Sequence, residues 1–171
     1  QYAIVASRQA IVDSGLDLET VDKEMVGVVW GAGIGGLITF QQEVASYAGG
    51  DGTPRFNPFF IPKMIADIAP GHISIEHGFH GPNYGVVSAC ASSTQAIIDA
   101  MTLIRLGKAN VIVTGGSEAT IAESGIGGFN SAQALSTNND EFESASRPFC
   151  KTRDGFVMGE GAASLVLEEY E

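Results

Sequence analysis

Residues 84–116 read YGVVSACASSTQAIIDAMTLIRLGKANVIVTGG, and the order of patterns in this stretch decides the fold. An apolar run through Val86 and Val87 stops at Ser88-Ala89-Cys90, so NYGVVS (83–88) reads as a strand. From Ser92 to Leu106 the pattern turns helical, with Ile97, Met101 and Ile104 at i, i+4 and i+7 and Gly107 as the stop. NVIVTGG (110–116) is again a continuous apolar run, as expected of a strand buried on both faces. Strand, helix and strand in this length of chain make a βαβ unit.

Working outward, VGVVW (26–30) is a second buried strand, and it runs directly into the glycine-rich GAGIGGL (31–37). Residues 2–14 carry Ile4, Val5, Ala10, Ile11 and Val12 around a helix that Gly15 should end. A helical pattern spans 39–47, GGDGTPRFNP (49–58) is a loop, and 59–69 reads as a helix interrupted by Pro70-Gly71. Beyond residue 116 the sequence predicts glycine-punctuated loops. ASLVLEEY (163–170) closes as a strand in which Ser164, Val166 and Glu168 alternate with Leu165 and Leu167. There is no internal repeat of fixed period. The fold class is therefore α/β, with a buried parallel or mixed sheet.

Composition limits the functions available. A chain of 171 residues can build one substantial core, and its low charged fraction favours folding over disorder. The net charge of −11 argues against nucleic acid as a partner. Arg147, Lys151 and Arg153 cluster late in the chain, either as a solvated loop or as a landing site for an acidic partner. The two cysteines, Cys90 and Cys150, lack the spacing of a zinc site and are too few for a disulfide framework. They point to a reducing compartment, the cytoplasm. No apolar run is long enough to span a membrane. The opening QYAIVASRQAIVDSGL reads as the middle of a helix, not as a targeting peptide.

Three groups of residues could carry chemistry. GAGIGG follows a strand and loosely satisfies the dinucleotide fingerprint through Gly31, Gly33 and Gly36. The helix it should open is poor, however, and Gly49-Gly50 stands where the next strand should lie; close backbone approach is the plainer reading. His72, His77 and His80 are five and three residues apart across the Pro-Gly pair, so they do not share one face and do not suggest a metal site. Cys90 lies between a strand and a helix start, where free amides favour thiolate and could hold an oxyanion. From the residues alone it is either a nucleophile or a small buried thiol. Cys150, in a charged loop, has no such setting.

SACASSTQAIIDAMTLIRLGKANVIVTGGSEA (88–119) resembles the active-site segment of the β-ketoacyl-acyl carrier protein synthases, the condensing enzymes of fatty acid synthesis. GAGIGGL (31–37), GIGGFNSAQALSTNND (125–140) and ASRPFCKTRDGFVMGEGAASLVLEEYE (145–171) match the same family in the same order, and look more like its elongating type II members than its type I enzymes. The resemblance spans the whole chain. It implies a thiolase-like fold, layered α-β-α-β-α, of which residues 1–171 would be an incomplete portion of the first half, without the opening strands or the C-terminal half.

The resemblance also implies roles. Cys90 matches the nucleophile that takes an acyl group from acyl carrier protein, with its own amide as one oxyanion donor. Ile34 matches the residue that gates the acyl tunnel, and Phe60, Phe129 and Phe156 match acyl-pocket residues, Phe60 near the family's dimer interface. Arg55 falls in a loop that offers basic residues to the acidic carrier protein, whereas Gln133 stands where relatives often carry a basic residue. The implied reaction is decarboxylative Claisen condensation of an acyl-enzyme with malonyl-acyl carrier protein. It needs no metal and no cofactor beyond the carrier's phosphopantetheine arm, and the complete enzyme would be a homodimer. The family's two catalytic histidines lie in its second half, and His72, His77 and His80 match neither motif, so this segment alone is expected not to condense. A polyketide ketosynthase shares the cysteine motif and is the enzymatic rival. A chain-length-factor-like subunit, which lacks the nucleophile, is the non-catalytic one.

Overall fold

Val26–Gly31 form β1, and all six residues are buried because both faces of the strand are covered. In the computed structural model, which describes residues 1–170, β1 lies inside a four-stranded sheet of order β2-β1-β3-β4. Its neighbours are β2 (Asn83–Val86) and β3 (Val111–Glu118), both parallel to it. β4 (Gly161–Glu168) pairs antiparallel with β3. The sheet is thus mixed. The βαβ unit is present, but its two strands do not pair with each other, since β1 lies between them.

Side-chain alternation assigns the layers. Val26, Val28 and Trp30 of β1 join Val111 and Val113 of β3 on one face, against Ala3 and Ile11 of α1 (Tyr2–Ser14) and Ile73 of α4 (Ile68–His77). Val29 and Ile112 point to the other face, against Ala96 and Ala100 of α5 (Ser92–Arg105). Small residues on α5 let its axis approach the sheet closely. Burial of each Val or Ile side chain contributes about 1.5–3 kcal/mol. Gly15 ends α1 at a φ of 72°, as the sequence predicts.

The sequence reading needs correction at two places. Pro70-Gly71 does not interrupt a helix: Pro70 is the third residue of α4, in the first turn, where a missing N–H costs no intrahelical bond. The break comes earlier. The short α3 (Phe60–Met64) ends where Ile65 turns extended, at a ψ of 141°. Glu123–Ser131, expected as loop, form a helix, α6. Its glycines hid it, yet Gly125 is there for contact, since a Cβ on it would lie 2.2 Å from the Thr120 carbonyl oxygen. Between β1 and α3 runs α2 (Leu37–Ala48). Among the described residues, no helix is long and apolar enough to cross a membrane.

Ile112, fully buried between β3 and α5, should be intolerant of truncation. Ile112→Ala is expected to cost about 2–4 kcal/mol by chemical denaturation, against under about 0.5 kcal/mol for Ile75→Ala on the exposed side of α4.

Candidate active site

β1 ends at Gly31, which pairs in register with Gly116, two residues before the end of β3. A Cβ on Gly31 would lie 2.5 Å from the backbone carbon of Ser92, and one on Gly116 would lie 1.9 Å from Ser93 Oγ. At Gly31 the crowding atoms are all backbone, so nothing larger than hydrogen fits; at Gly116 a side chain would have to displace Ser93 and would still meet the Gly31 carbonyl oxygen at 2.9 Å. The start of α5 therefore rests directly on the strand ends, and Cys90 is held at that junction. Here the glycines of GAGIGG serve backbone approach, the plainer of the two sequence readings.

The chain turns into α5 through an unusual residue. Ala89 has a φ of 47°, a left-handed conformation that costs a non-glycine residue on the order of 1–3 kcal/mol. Ser92 compensates. Its buried hydroxyl accepts a hydrogen bond from the Ser88 amide (2.8 Å) and donates one to the Ala89 carbonyl (2.6 Å). The Ala91 and Ser92 amides also turn back, onto the carbonyls of Ser88 and Ala89. Among the described residues the Cys90 amide donates to no protein carbonyl, and its thiol is free and exposed. A free amide on the residue bearing the sulfur is where an oxyanion donor is needed.

Cys90 opens into a cavity of about 610 Å³. Ile34, Phe129 and Phe156 line it with Cys90, together with Ser93 and Glu118. Phe129 and Phe156 meet edge to face, with centroids 5.2 Å apart at 81°. Four of the six residues selected from sequence thus meet in one place. Phe60 is not in that wall: it stacks on Phe56 at 5.2 Å and faces Phe40 at 6.3 Å, in an aromatic cluster of α2, α3 and the loop between them. Arg55 is exposed and lies 3.7 Å from Asp51, a surface pair worth little in solution.

None of the histidines lines the cavity. His72 is exposed on α4, His77 stacks on Phe79 with its pKa lowered by burial, and His80 pairs with Glu24 at 2.7 Å. Cys150 sits 3.4 Å from Thr152 Oγ1, and that hydrogen bond holds its thiol below the usual range; it too is outside the cavity. The sequence reading passed over Glu118. Its carboxylate accepts from the Gly33 and Ile34 amides, both at 3.0 Å. The signal available was an acidic residue ending a buried strand, in GGSEA (115–119).

A free, exposed cysteine thus stands on a strained turn just before a helix start and faces a largely apolar cavity. Residues 1–171 match the beta-ketoacyl synthase N-terminal domain, and the chain belongs to this family. It is 48% identical over 172 residues to the 3-oxoacyl-[acyl-carrier-protein] synthase 2 of Staphylococcus aureus, covering all of this chain and 42% of that protein. The structure superposes on a beta-ketoacyl synthase from Burkholderia phymatum STM815 with a TM-score of 0.87 at 32% identity, covering 99% of this chain and 41% of the other. It also matches a solved complex of a type II PKS acyl-carrier protein with its ketosynthase bound to the hexaketide, with a TM-score of 0.77 at 26% identity, covering 98% of this chain and 46% of the other. The chain thus spans less than half the length of each of these relatives.

Two substitutions separate scaffold from sulfur. Gly116→Ala must push Ser93 away and should lower the alkylation rate of Cys90 by about tenfold or more. Ser92→Ala leaves the Ser88 amide without its acceptor and should cost about 1–3 kcal/mol, read as a lower Tm.

Proposed function

We propose that this chain is the nucleophile-bearing part of a 3-oxoacyl-acyl carrier protein synthase that extends acyl chains in fatty acid synthesis. The observation that carries the reading is Cys90 at the start of α5, facing the cavity lined by Ile34, Phe129 and Phe156. Its sulfur attacks the carbonyl carbon of an acyl thioester on acyl carrier protein. A carbon–sulfur bond forms, and negative charge moves to the carbonyl oxygen, where the Cys90 amide donates to it. Collapse expels the thiolate of the carrier's phosphopantetheine arm, which takes up the proton the cysteine gave. The acyl chain, now on Cys90, lies against the apolar wall.

In the complete enzyme malonyl-acyl carrier protein then loses carbon dioxide. The resulting carbanion attacks the acyl-cysteine and expels the Cys90 thiolate, which regains a proton from water, giving a 3-oxoacyl-acyl carrier protein longer by one two-carbon unit. Groups supporting that decarboxylation are not supplied by His72, His77 or His80, which lie outside the cavity. The acidic carrier protein is the partner in this reading. Its support is the acyl-carrier protein seated on the related ketosynthase and the exposed Arg55 loop. A homodimer suits the exposed Phe59 and Ile61 beside the aromatic cluster of α2 and α3. Two free thiols suit the cytoplasm, and the chemistry calls for no cofactor besides the carrier's arm. The polyketide alternative draws on the more distant likeness, 26% against 48% identity.

The test is acylation of the full-length protein by acyl-carrier protein, followed by digestion and mass spectrometry. Acyl label should sit on the Cys90 peptide and vanish in Cys90→Ala. Label retained in that variant overturns the assignment. Residues 1–171 expressed alone should give no 3-oxoacyl product, and its formation would refute the division of labour described.

A further inference from the structure

The turn that carries Ile34 into the cavity is held from three directions. The Ala32 amide donates to the Val86 carbonyl at 3.2 Å, and the Gly36 amide donates to the Met64 carbonyl at 2.9 Å. Between them, the Gly33 and Ile34 amides both donate to Glu118 Oε2 at 3.0 Å. The outer two contacts are backbone to backbone and are insensitive to substitution. The middle one is a single side chain. Glu118 ends β3, two residues beyond Gly116, and itself lines the cavity that contains Cys90.

Two consecutive N–H groups converging on one oxygen form a small anion-binding concavity, and hydrogen bonds to a charged acceptor are about twice as strong as neutral ones. Fit around the carboxylate is tight, since a Cβ on Gly33 would lie 2.9 Å from Glu118 Oε2. Gly35, with a φ of 81°, completes the turn in a conformation glycine adopts freely. Without the acceptor, the Gly33 and Ile34 amides lose their common anchor, and the Ile34 side chain is free to move across the cavity.

We propose that Glu118 is a positioning residue that sets which acyl chains reach Cys90, by fixing the turn that places Ile34 in the cavity wall. It acts through the Gly33–Ile34 backbone and takes no part in bond making. This inference deepens the acyl-transfer reading of the cavity and rests on it for its biological meaning. Its physical content, a chain-length filter in front of a thiol, can be measured without carrier protein.

The probe is a series of alkyl methanethiosulfonates from methyl to decyl, applied to the full-length protein and followed by peptide mass spectrometry. Each forms a mixed disulfide with a cysteine thiolate and releases methanesulfinate, so the ratio of two rates at one cysteine cancels its thiolate fraction and reports access. Cys150, exposed and outside the cavity, is an internal reference in every sample. In Glu118→Ala the decyl-to-methyl rate ratio at Cys90 should change by about tenfold, while the methyl rate and the Cys150 rates change less than about twofold. Glu118→Gln keeps an oxygen acceptor for both amides and should stay within about threefold of the parent ratio. Gly33→Ala, which displaces the carboxylate while keeping it, should reproduce the Glu118→Ala shift and serves if that variant does not fold.

An unchanged ratio in both Glu118→Ala and Gly33→Ala overturns the proposal. So does a Glu118→Gln variant as altered as Glu118→Ala, which would assign the effect to charge instead of position. A positive result here with no acyl transfer to Cys90 from carrier protein would leave the filter standing and remove the synthase reading, so the two failures are distinguishable.

Discussion

The contact on which the rest depends is the seating of the α5 N-terminus on two glycines. Gly31 and Gly116 lie side by side, at the end of β1 and two residues before the end of β3, and the backbone of Ser92 and the hydroxyl of Ser93 occupy the space where their side chains would stand. This brings a helix start, and the free Cys90 amide before it, to the end of a sheet that is otherwise packed tightly with Val, Ile and Trp. Cys90 is exposed above a turn held by its own hydrogen bonds. Ala89 is forced into a left-handed conformation, and Ser92 supplies the two hydrogen bonds that make that turn affordable.

From this junction the cavity follows. β1 leads into the glycine turn with Ile34, β3 leads to Glu118, and the segment before β4 brings Phe156 against Phe129 of α6. Each wall arises from a different element, but all leave the same end of the sheet. That is the general arrangement of α/β proteins, in which the strand carboxyl ends carry the chemistry and the core below them holds it still. An apolar pocket with a free amide beside an exposed thiol is suited to an acyl group with a developing oxyanion, and poorly suited to a phosphate-bearing dinucleotide.

Much of this was legible from local pattern. Continuous apolar runs at 26–30 and 110–116 marked strands covered on both faces, and the Ile97, Met101, Ile104 spacing marked the helix between them. Two elements were misread for physical reasons. A proline in a first helical turn looks like a breaker in sequence and costs nothing there, and the glycines of α6 look like loop until Gly125 is seen pressed against the Thr120 carbonyl. Resemblance to a family picked out Ile34, Phe129 and Phe156, and they do meet around Cys90; Phe60 and Arg55 lie elsewhere on the molecule.

Sequence by itself determined the α/β class, the strand–helix–strand unit and the candidate cysteine, because those depend on periodicities within a few residues of one another. Tertiary structure decided why the glycines are there, since Gly31 and Gly116 matter through contact with Ser92 and Ser93 more than twenty residues away in the chain. It also decided the strand order, with β1 inserted between the two strands of the βαβ unit, and it found Glu118. A carboxylate at the end of a strand has no local signature of its partners. Its role exists only once the sheet brings it beside two amides from residues more than eighty positions earlier.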